Sequence, residues 1–386
     1  MDDRWQRYKR ALDGEPLPAA LIDLDALEAN AARLFEPIAR AGKRARLATK
    51  SLRCPALAAK LAERGDAIGY LTYTAAETEF YARAGVRDLV LAYPTVQLQD
   101  AAAIARANAI ATAAIVVDDV AQLDVLARAA HDATTRIPIV IDVDMSWRPL
   151  GVHVGVRRSP LREPDDVVAL AKRVVEPLYF HGILGYEAQI AGLSDRNPVI
   201  RALKRGSEPA VIAARMRICD ALRSAGLPPA IVNGGGTGSV DWSSTDPALT
   251  EVAVGSGFLC SHLFDNYRGL ELSPAIAFAL QVVRKPAPQI ATCLGGGWIA
   301  SGQAGADRLP VPAWPLGCAL LRGEGAGEVQ TPVVVPRDIA LGDPIFFRPA
   351  KAGELAEHVA EYLFVRGDRI VERAPTYRGL GNVFLG

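Results

Sequence analysis

Lys50 is the first residue of the chain whose type and position suggest chemistry. It closes the apolar run RLATK, residues 46–50, which is typical of a short buried strand. A lysine amine at the end of such a strand is a nucleophile that can form an imine with an aldehyde. A surface lysine without a chemical role fits the same position. Lys50 is therefore a candidate whose interpretation depends on partners elsewhere in the sequence.

Two glycine-rich stretches follow later apolar runs, and each offers backbone N–H groups to an anion. A loop without side chains can bring its backbone close to a phosphate, and hydroxyl groups add further donors. Loops after the seventh and eighth strands of a barrel commonly hold phosphate. Two tight turns are the alternative interpretation. The candidates for phosphate binding are Asn233, Gly234, Gly235, Gly236, Thr237, Gly238, Gly255, Ser256 and Gly257, with Ser239 as a further hydroxyl donor.

Charged and aromatic side chains follow two other apolar runs. In IDVDMSWRP, residues 141–149, Asp142 and Asp144 share one face of a strand and Arg148 follows in the loop. These carboxylates fit either a metal site or a structural salt bridge. In GYEAQ, residues 185–189, Tyr186 and Gln189 either pack or contact a cofactor ring. The five histidines form no HxH or HxxxH pattern, so the sequence predicts no metal site.

The elements that must position these residues alternate regularly along the chain. Eight apolar runs predict buried parallel strands at residues 46–50, 67–70, 88–92, 114–117, 137–143, 180–186, 230–233 and 251–255. Amphipathic stretches between them predict helices at residues 55–64, 75–84, 96–107, 120–130, 164–175 and 208–225, with a loop and a further helix within 190–206. This α/β pattern predicts a (β/α)8 TIM-type barrel. A doubly wound sheet is the alternative, because periodicity does not report closure.

The texture of the sequence changes after residue 270. Proline, glycine and β-branched residues become frequent, as in VQTPVVVPRDIALGDPIFFR, and predict short strands bounded by turns. One helix is predicted at residues 351–359. The predicted organisation is an N-terminal extension at 1–17, the barrel at 18–270 and a C-terminal, mostly β domain at 271–386.

Composition restricts the partners and the compartment. Lys plus Arg equals Asp plus Glu, 43 each, so no overall field attracts nucleic acid or an anionic membrane. The five cysteines are scattered and form no CxxC pair, which is typical of reduced thiols. The charged start MDDRWQRYKRALDG lacks the apolar segment of a signal peptide. These features predict a soluble, cytoplasmic protein with a small-molecule substrate.

The motifs taken in order resemble the alanine racemase-type enzymes of fold type III, which depend on pyridoxal 5′-phosphate (PLP). The resemblance runs from about Pro18 to the C-terminus and is greatest to the D-threonine aldolase and D-serine dehydratase group. PAALIDLDALEANAARL resembles the segment before the first barrel strand, and AAETEFYARAGVRDLVLAYP resembles the region of the second and third strands. RLATK, IDVDMSWRPLGV, GYEAQ, NGGGTGS and GSG resemble the cofactor-binding motifs.

The resemblance implies a role for each matched residue. Lys50 would hold PLP as a Schiff base, Arg148 would bond the phenolic oxygen, and Tyr186 and Gln189 would flank the ring. The two glycine-rich loops would hold the phosphate. Tyr377 and Arg378, from the C-terminal domain, would act in proton transfer or hold the substrate carboxylate. The resemblance also implies a homodimer with the active site at the interface.

The chain departs from the aldolase branch where that branch binds a divalent metal. Ala48 stands where the branch has a histidine in the Schiff-base motif. Tyr377 and Gly379 stand where it has metal ligands, and His358 lies a few residues late. Tyrosine and glycine do not replace imidazole, thiolate or carboxylate ligands. The resemblance therefore implies PLP, and these departures count against the divalent metal of the aldolase branch.

Four functions fit these features to different degrees. The first is a lyase, an aldolase or a dehydratase, that acts at the α-carbon of β-hydroxy-D-amino acids. The second is a racemase or epimerase, which needs two opposed bases where the sequence offers one, Lys50. A non-catalytic PLP-binding protein is a third, although such proteins generally lack a C-terminal β domain. A metal-dependent barrel hydrolase that uses Asp142 and Asp144 is a fourth, and the missing histidine cluster disfavours it.

Overall fold

The computed structural model describes residues 3–65, 67–336 and 338–385, and the chain divides into two compact units. The sheet unit comprises Met1–Arg33, Ser51–Lys60 and Ser256–Val383, and the barrel unit comprises Leu34–Lys50, Leu61–Gly255 and Phe384–Gly386. This division differs from the predicted boundaries after residues 17 and 270. The outermost predicted bounds, residues 1 and 386, lie outside the described residues.

The N-terminal segment belongs to the sheet unit because its strand completes that unit's sheet. Helix α1 (Asp3–Ala11) precedes strand β1 (Ala19–Asp23), which pairs antiparallel with one C-terminal strand and parallel with another. Every residue of β1 is buried. The rings of Trp314 and Phe346 lie edge-on to Tyr8 of α1, at centroid distances of 5.6 and 5.5 Å. Apolar burial on both sides of β1 therefore ties the N-terminus to this sheet.

The barrel unit contains a closed barrel of eight parallel strands, as predicted, and the doubly wound alternative is wrong. The strands are β2 (Arg44–Ala48), β3 (Ala67–Thr72), β4 (Asp88–Leu91), β5 (Thr112–Val117), β6 (Ile137–Asp142), β7 (Leu178–Leu184), β8 (Ile231–Gly234) and β9 (Glu251–Val254). The last strand closes the barrel by pairing with the first. All eight predicted strands are confirmed to within a few residues.

Helices connect most of the strands, and their ends follow local capping signals. They are α2 (Leu24–Arg40), α3 (Pro55–Arg64), α4 (Ala75–Arg83), α5 (Leu98–Asn108), α6 (Val120–Asp132), α7 (Pro164–Lys172), α8 (Ala188–Ala191), α9 (Pro198–Ser224) and α10 (Val240–Thr245). Asp119 begins α6 with a capping box that it shares with Gln122. Helix α9 starts ten residues before the predicted 208, because Asn197 caps it and Pro198 suits its first turn.

The C-terminal part of the sheet unit is mostly β, as predicted. It contains α11 (Ser256–Leu259), β10 (Ile276–Ala287), β11 (Ile290–Leu294), β12 (Val311–Trp314), β13 (Ala319–Leu320), β14 (Gln330–Val334), β15 (Pro344–Arg348), α12 (Ala352–Leu355), β16 (Glu361–Arg366) and β17 (Arg369–Pro375). The strand order is β13-β14-β11-β10-β1-β16-β17, and β15 pairs with both β10 and β12. Helix α12 is shorter than the predicted 351–359.

None of the helices within residues 3–65, 67–336 and 338–385 combines the length and the apolar composition of a membrane span.

Candidate active site

Lys50 lies in a single helical turn, Thr49–Ser51, that directly follows β2 at the carboxyl end of the barrel. Its Nζ donates a hydrogen bond to the Tyr93 hydroxyl over 3.0 Å and lies 5.7 Å from the centroid of that ring. Tyr93 follows β4, two strands away in the barrel. The structure thus brings the predicted lysine to the mouth of the barrel, beside a phenol that sequence reasoning did not single out.

Tyr186 follows β7 and extends this cluster. Burial, the nearby Glu187 carboxylate and, to a lesser degree, Tyr93 raise the pKa of Tyr186 to about 12, so its hydroxyl remains protonated at neutral pH. The guanidinium of Arg158 lies 5.2 Å from the centroid of the Tyr186 ring. Tyr186 therefore presents a neutral ring between the lysine cluster and the loop that follows β8.

The glycine-rich loop after β8 lies against Tyr186. A β-carbon placed on Gly236 would meet the Ala191 β-carbon at 3.1 Å and the Tyr186 ring at 3.6 Å. Gly235 has a φ of +83°, in the left-handed region that favours glycine, and a β-carbon there would meet Val252 at 2.7 Å. Backbone conformation and packing thus disfavour a side chain at Gly235, and a side chain at Gly236 would be crowded, so the loop backbone lies close to Tyr186.

Asn233, at the third position of β8, hydrogen-bonds inside the barrel. Its amide donates to Glu251 Oε1 over 2.8 Å, and Glu251 also receives two hydrogen bonds from the guanidinium of Arg46, over 2.6 and 2.8 Å. All three side chains are buried inside the barrel unit. The Asn233 amide therefore already has a partner in the barrel interior, and its proposed contact with a cofactor stays a prediction.

Two carboxylates at the carboxyl ends of neighbouring strands, Asp118 after β5 and Asp142 at the end of β6, lie close enough to interact, and Asp118 also accepts a hydrogen bond from Gln122 over 2.8 Å. Val116 and Val140 belong to the core cluster inside the barrel, so Asp118 and Asp142, two residues further on, continue the inward face. Burial raises the pKa of Asp142 to about 7, and the negative charges of Asp118 and Asp144 add to this effect. Asp118 was not predicted as a site residue, although the same alternation along β5 could have identified it.

Asp144 turns into its own loop and does not form a ligand pair with Asp142. It accepts a hydrogen bond from Arg148 Nη2 over 2.8 Å and two more from the backbone and hydroxyl of Ser146, each over 2.8 Å. Arg148 is consequently engaged in a local ion pair, with 45% of its side chain exposed. Arg158, further along the same loop, is the arginine that lies over Tyr186, and no feature of the sequence distinguished it.

Gln189 is buried in α8, next to the loop that follows β6. Its amide nitrogen donates to the Met145 carbonyl over 2.7 Å. Its Oε1 atom is buried and has no hydrogen-bond partner in the part of the chain that the structure describes. A buried acceptor without a partner is costly, and it is typical of a site that a ligand or a water completes.

The second predicted phosphate loop spans the boundary of the two units. Gly255 directly follows β9 and ends the main segment of the barrel unit, whereas Ser256 and Gly257 begin α11 in the sheet unit. The part of Gly255, Ser256 and Gly257 in phosphate binding stays a prediction.

The C-terminal candidates lie in a turn after β17. The Tyr377 side chain is only 1% exposed, and its backbone N–H donates to the Arg53 carbonyl over 3.0 Å. Arg378, the next residue, is exposed. The two predicted catalytic residues therefore differ in exposure to solvent: Tyr377 is buried and Arg378 is exposed.

Position 379, in the sheet unit, has no room for a side chain. A β-carbon on Gly379 would lie 1.9 Å from the Ala360 carbonyl oxygen, so the backbone itself occupies that space. His358 is stacked on Trp298, with centroids 5.2 Å apart and an interplanar angle of 5°. Across the described ranges, no group of three or more histidine, cysteine, aspartate or glutamate side chains has the arrangement of a metal site.

Comparison with known proteins adds to this geometry. The family of alanine racemase N-terminal domains matches residues 22–260 of the chain. The chain is 27% identical over 245 residues to the 3-hydroxy-D-aspartate aldolase of Paracoccus denitrificans (strain Pd 1222). That match covers 62% of this chain and 59% of the relative, so the chain spans less than two thirds of the relative's length.

Solved structures share the fold over nearly the whole chain. The D-threonine aldolase of Filomicrobium marinum superimposes with a TM-score of 0.83 at 23% identity, covering 94% of this chain and 95% of that one. The D-threo-3-hydroxyaspartate dehydratase of Delftia sp. HT23 gives a TM-score of 0.79 at 20% identity, covering 95% and 98%. At these identities the likeness concerns the fold.

Proposed function

Because the chain belongs to the family of alanine racemase N-terminal domains, we propose that it is a PLP-dependent lyase that acts on β-hydroxy-D-amino acids, as an aldolase or a dehydratase. Lys50 is the residue that holds the cofactor aldehyde. When bound, the cofactor supplies an electron sink for negative charge at the substrate α-carbon. Relatives that are similar to the chain in sequence or in fold are named for these two reactions on such substrates.

One observation carries the proposal: two tyrosines, Tyr93 beside the lysine and Tyr186 beside the glycine-rich loop, lie near enough to interact electrostatically. Lys50 bonds Tyr93, Tyr93 acts electrostatically on Tyr186, and the Tyr186 ring lies beside Gly236. An amine at one end, a loop without side chains at the other and two aromatic rings between them match a cofactor with an aldehyde, a flat ring and a phosphate. The residues present therefore fit PLP.

We assign the remaining roles in keeping with this arrangement. The backbone of Gly234–Gly238, with the Thr237 hydroxyl, binds the phosphate, together with Gly255, Ser256 and Gly257. Tyr186 and Gln189 flank the ring. Arg148 remains our predicted partner of the phenolic oxygen, and Arg158 is a second guanidinium in the same loop, nearer to the Tyr186 ring. Such fixed positive charge stabilises an anionic ligand in a site that excludes water.

Proton transfer is the task that distinguishes a lyase from a racemase. When its amine is not bonded to the cofactor, Lys50 would be the residue that accepts or returns a proton at the substrate α-carbon. A racemase needs a second base on the opposite face of the substrate. The sequence predicts one convincing base, Lys50, and this supports the lyase.

We infer further that the enzyme works without a divalent metal. Tyr377 is buried, Gly379 has no room for a side chain, and His358 is stacked on Trp298. These residues do not form the imidazole, thiolate or carboxylate set that a divalent transition metal prefers. Activity that persists after dialysis against a strong chelator supports this inference, and activity that only added Mn²⁺ or Zn²⁺ restores contradicts it.

Borohydride reduction tests the cofactor and its attachment together. The purified protein is expected to carry PLP, and reduction followed by peptide mass spectrometry is expected to find the adduct on Lys50. Lys50→Ala should lose the adduct and the activity, whereas Lys172→Ala, a control at an exposed lysine of α7, should keep both. An adduct on another lysine refutes the site, and no adduct at all refutes the PLP proposal.

Product analysis tests the reaction. D-Threonine should yield glycine and acetaldehyde if the enzyme is an aldolase, and 2-oxobutanoate and ammonia if it is a dehydratase. 3-Hydroxy-D-aspartate should yield glycine and glyoxylate, or oxaloacetate and ammonia. Formation of an epimer without cleavage or loss of water would overturn the lyase and support the racemase.

A further inference from the structure

A cluster of three fully buried charges lies next to the glycine-rich loop, outside the residues already assigned. Arg215 of α9 forms ion pairs with Glu187, over 2.9 Å, and with Asp246, which follows α10. All three side chains have no exposed surface. Arg215 Nη2 also donates to the Gly185 carbonyl over 3.1 Å. One guanidinium thus joins the end of β7 to the helices on either side of the loop.

The second carboxylate oxygen of Glu187 leads from this cluster to the loop itself. Glu187 Oε1 accepts a hydrogen bond from the Ser243 hydroxyl over 3.1 Å, and Ser243 and Ser239 share a hydrogen bond of 2.8 Å. Because the Ser243 proton goes to Glu187, the Ser239 hydroxyl donates to the Ser243 oxygen, and the Ser239 backbone N–H donates to the Gly236 carbonyl over 3.0 Å. A hydrogen-bonded path therefore connects a buried carboxylate to one peptide group of the loop.

This path determines which way that peptide group faces. In a trans peptide the C=O of Gly236 and the N–H of Thr237 point to opposite sides of the plane. The hydrogen bond from the Ser239 backbone N–H holds the Gly236 oxygen toward Ser239, so the Thr237 N–H is turned to the other side. Anion-binding loops work by aiming successive N–H groups at one point, which requires such orientation to be set in advance.

The glycines of the loop keep the backbone in contact with the cluster. A β-carbon on Gly234 would lie 2.9 Å from Arg215 Nη2, and one on Gly235 would lie 3.0 Å from the Ser243 hydroxyl. Buried ion pairs contribute little net stability compared with apolar residues of similar volume. A role in orientation accounts for a cluster of charges at this place better than a role in stability.

We propose that Glu187 and Ser243 are positioning residues that orient the loop of residues 234–239 for the phosphate group of the cofactor. Arg215 holds Glu187 in place, and Ser239 transmits the contact to Gly236. The inference rests on the proposed function, because it assumes that this loop receives the phosphate. It assigns the two residues no contact with the cofactor or the substrate.

Two neighbouring serines of α10 provide a matched test. Ser243→Ala removes the link to Glu187 and leaves the buried ion pairs intact. Ser244→Ala, the control, removes a buried hydroxyl that bonds the Val240 carbonyl of its own helix, over 2.7 Å, and no other group among the described residues. The dissociation constants of PLP and of pyridoxal, which lacks the phosphate, are measured for each apoprotein by absorbance titration, together with the thermal midpoint.

Ser243→Ala, which loses the hydrogen bonds to both Glu187 and Ser239, should weaken PLP binding at least about fivefold and leave pyridoxal binding unchanged. Ser244→Ala should change neither ligand. Glu187→Gln should lower the ratio of PLP affinity to pyridoxal affinity in the same direction. Equal losses for both ligands, or no loss in Ser243→Ala, overturn the positioning role while leaving the proposed function intact. A wild-type protein that binds neither ligand overturns the proposed function itself.

Discussion

Asp142 is a buried acid at the carboxyl end of a barrel strand, and its burial makes the free energy of unfolding depend on pH. Its pKa is raised to about 7, mainly by burial and then by Asp118. In the unfolded chain an aspartate titrates near its ordinary value of about 3.9. Because the folded state binds this proton more tightly, its contribution to stability is fully present below about pH 4 and is lost as the pH rises through about 7.

Replacing Asp142 with asparagine should remove this pH dependence. Asp142→Asn is expected to stabilise the protein relative to wild type at about pH 8, by roughly 1 kcal/mol or more, and to have a much smaller effect at about pH 5. Thermal midpoints at the two pH values check this. Asp165→Asn, at an exposed position of α7, is the control and should show no such difference. An equal effect of Asp142→Asn at both pH values would contradict the prediction.

At the scale of elements, one arginine inside the barrel connects three strands. Arg46 of β2 bonds Glu251 of β9 through two nitrogens and Asp88 of β4 over 2.7 Å. Arg46 and Glu251 are fully buried, and Asn233 of β8 donates to the same Glu251 carboxylate. This network joins the strands where the barrel closes, below the mouth that carries Lys50.

Removing one partner of this network should be costly. Arg46→Met leaves Glu251 buried without its cation, and we expect the free energy of unfolding to fall by about 3–5 kcal/mol. The double variant Arg46→Met/Glu251→Leu should recover much of this loss, because no buried charge remains unpaired. Urea denaturation measures both. Arg44→Met, at the exposed start of β2, is the control. A loss below about 1 kcal/mol in the single variant would show that Glu251 finds another partner.

At the scale of the whole molecule, the proposal combines two units and a second subunit. The barrel unit carries Lys50, whereas Arg378 is exposed on the sheet unit. We propose that the protein is a homodimer in which the sheet unit of one subunit completes the active site of the other. Arg378 suits this role better than Tyr377, whose side chain is buried in its own unit.

Complementation between two inactive variants tests the shared site. Lys50→Ala and Arg378→Ala are each expected to have little activity, and their co-expression should restore roughly a quarter of the wild-type activity, since half of randomly formed dimers are mixed and each holds one intact site. Separately tagged chains allow the mixed dimer to be isolated. If the mixed dimer is as inactive as its parents, Arg378 serves its own subunit, and a monomer in light scattering would refute the shared site.

Residue patterns over short stretches of the sequence determine much of this fold. Alternating apolar runs located all eight barrel strands, because a buried parallel strand needs a continuous apolar run wherever it lies in the barrel. Helix α3 has the predicted bounds, Pro55–Arg64, since the amphipathic period is a local property. Lys50 was found at the end of its strand by the same reasoning.

Tertiary structure alone decided which residues meet. Arg46 bonds Glu251 across 205 positions of sequence, and no local pattern pairs them. Strand β1 pairs with strands formed by residues beyond 275. Its own segment of sequence does not show that it belongs to the C-terminal sheet. The positions of Asp118, Arg158 and Ser243 matter because of neighbours on other strands and helices, which no local pattern identifies. The sequence by itself determines which segments are buried and whether they form helices or strands. Which residues become partners depends on closure of the barrel and assembly of the sheet, because these bring residues that are distant in sequence into contact.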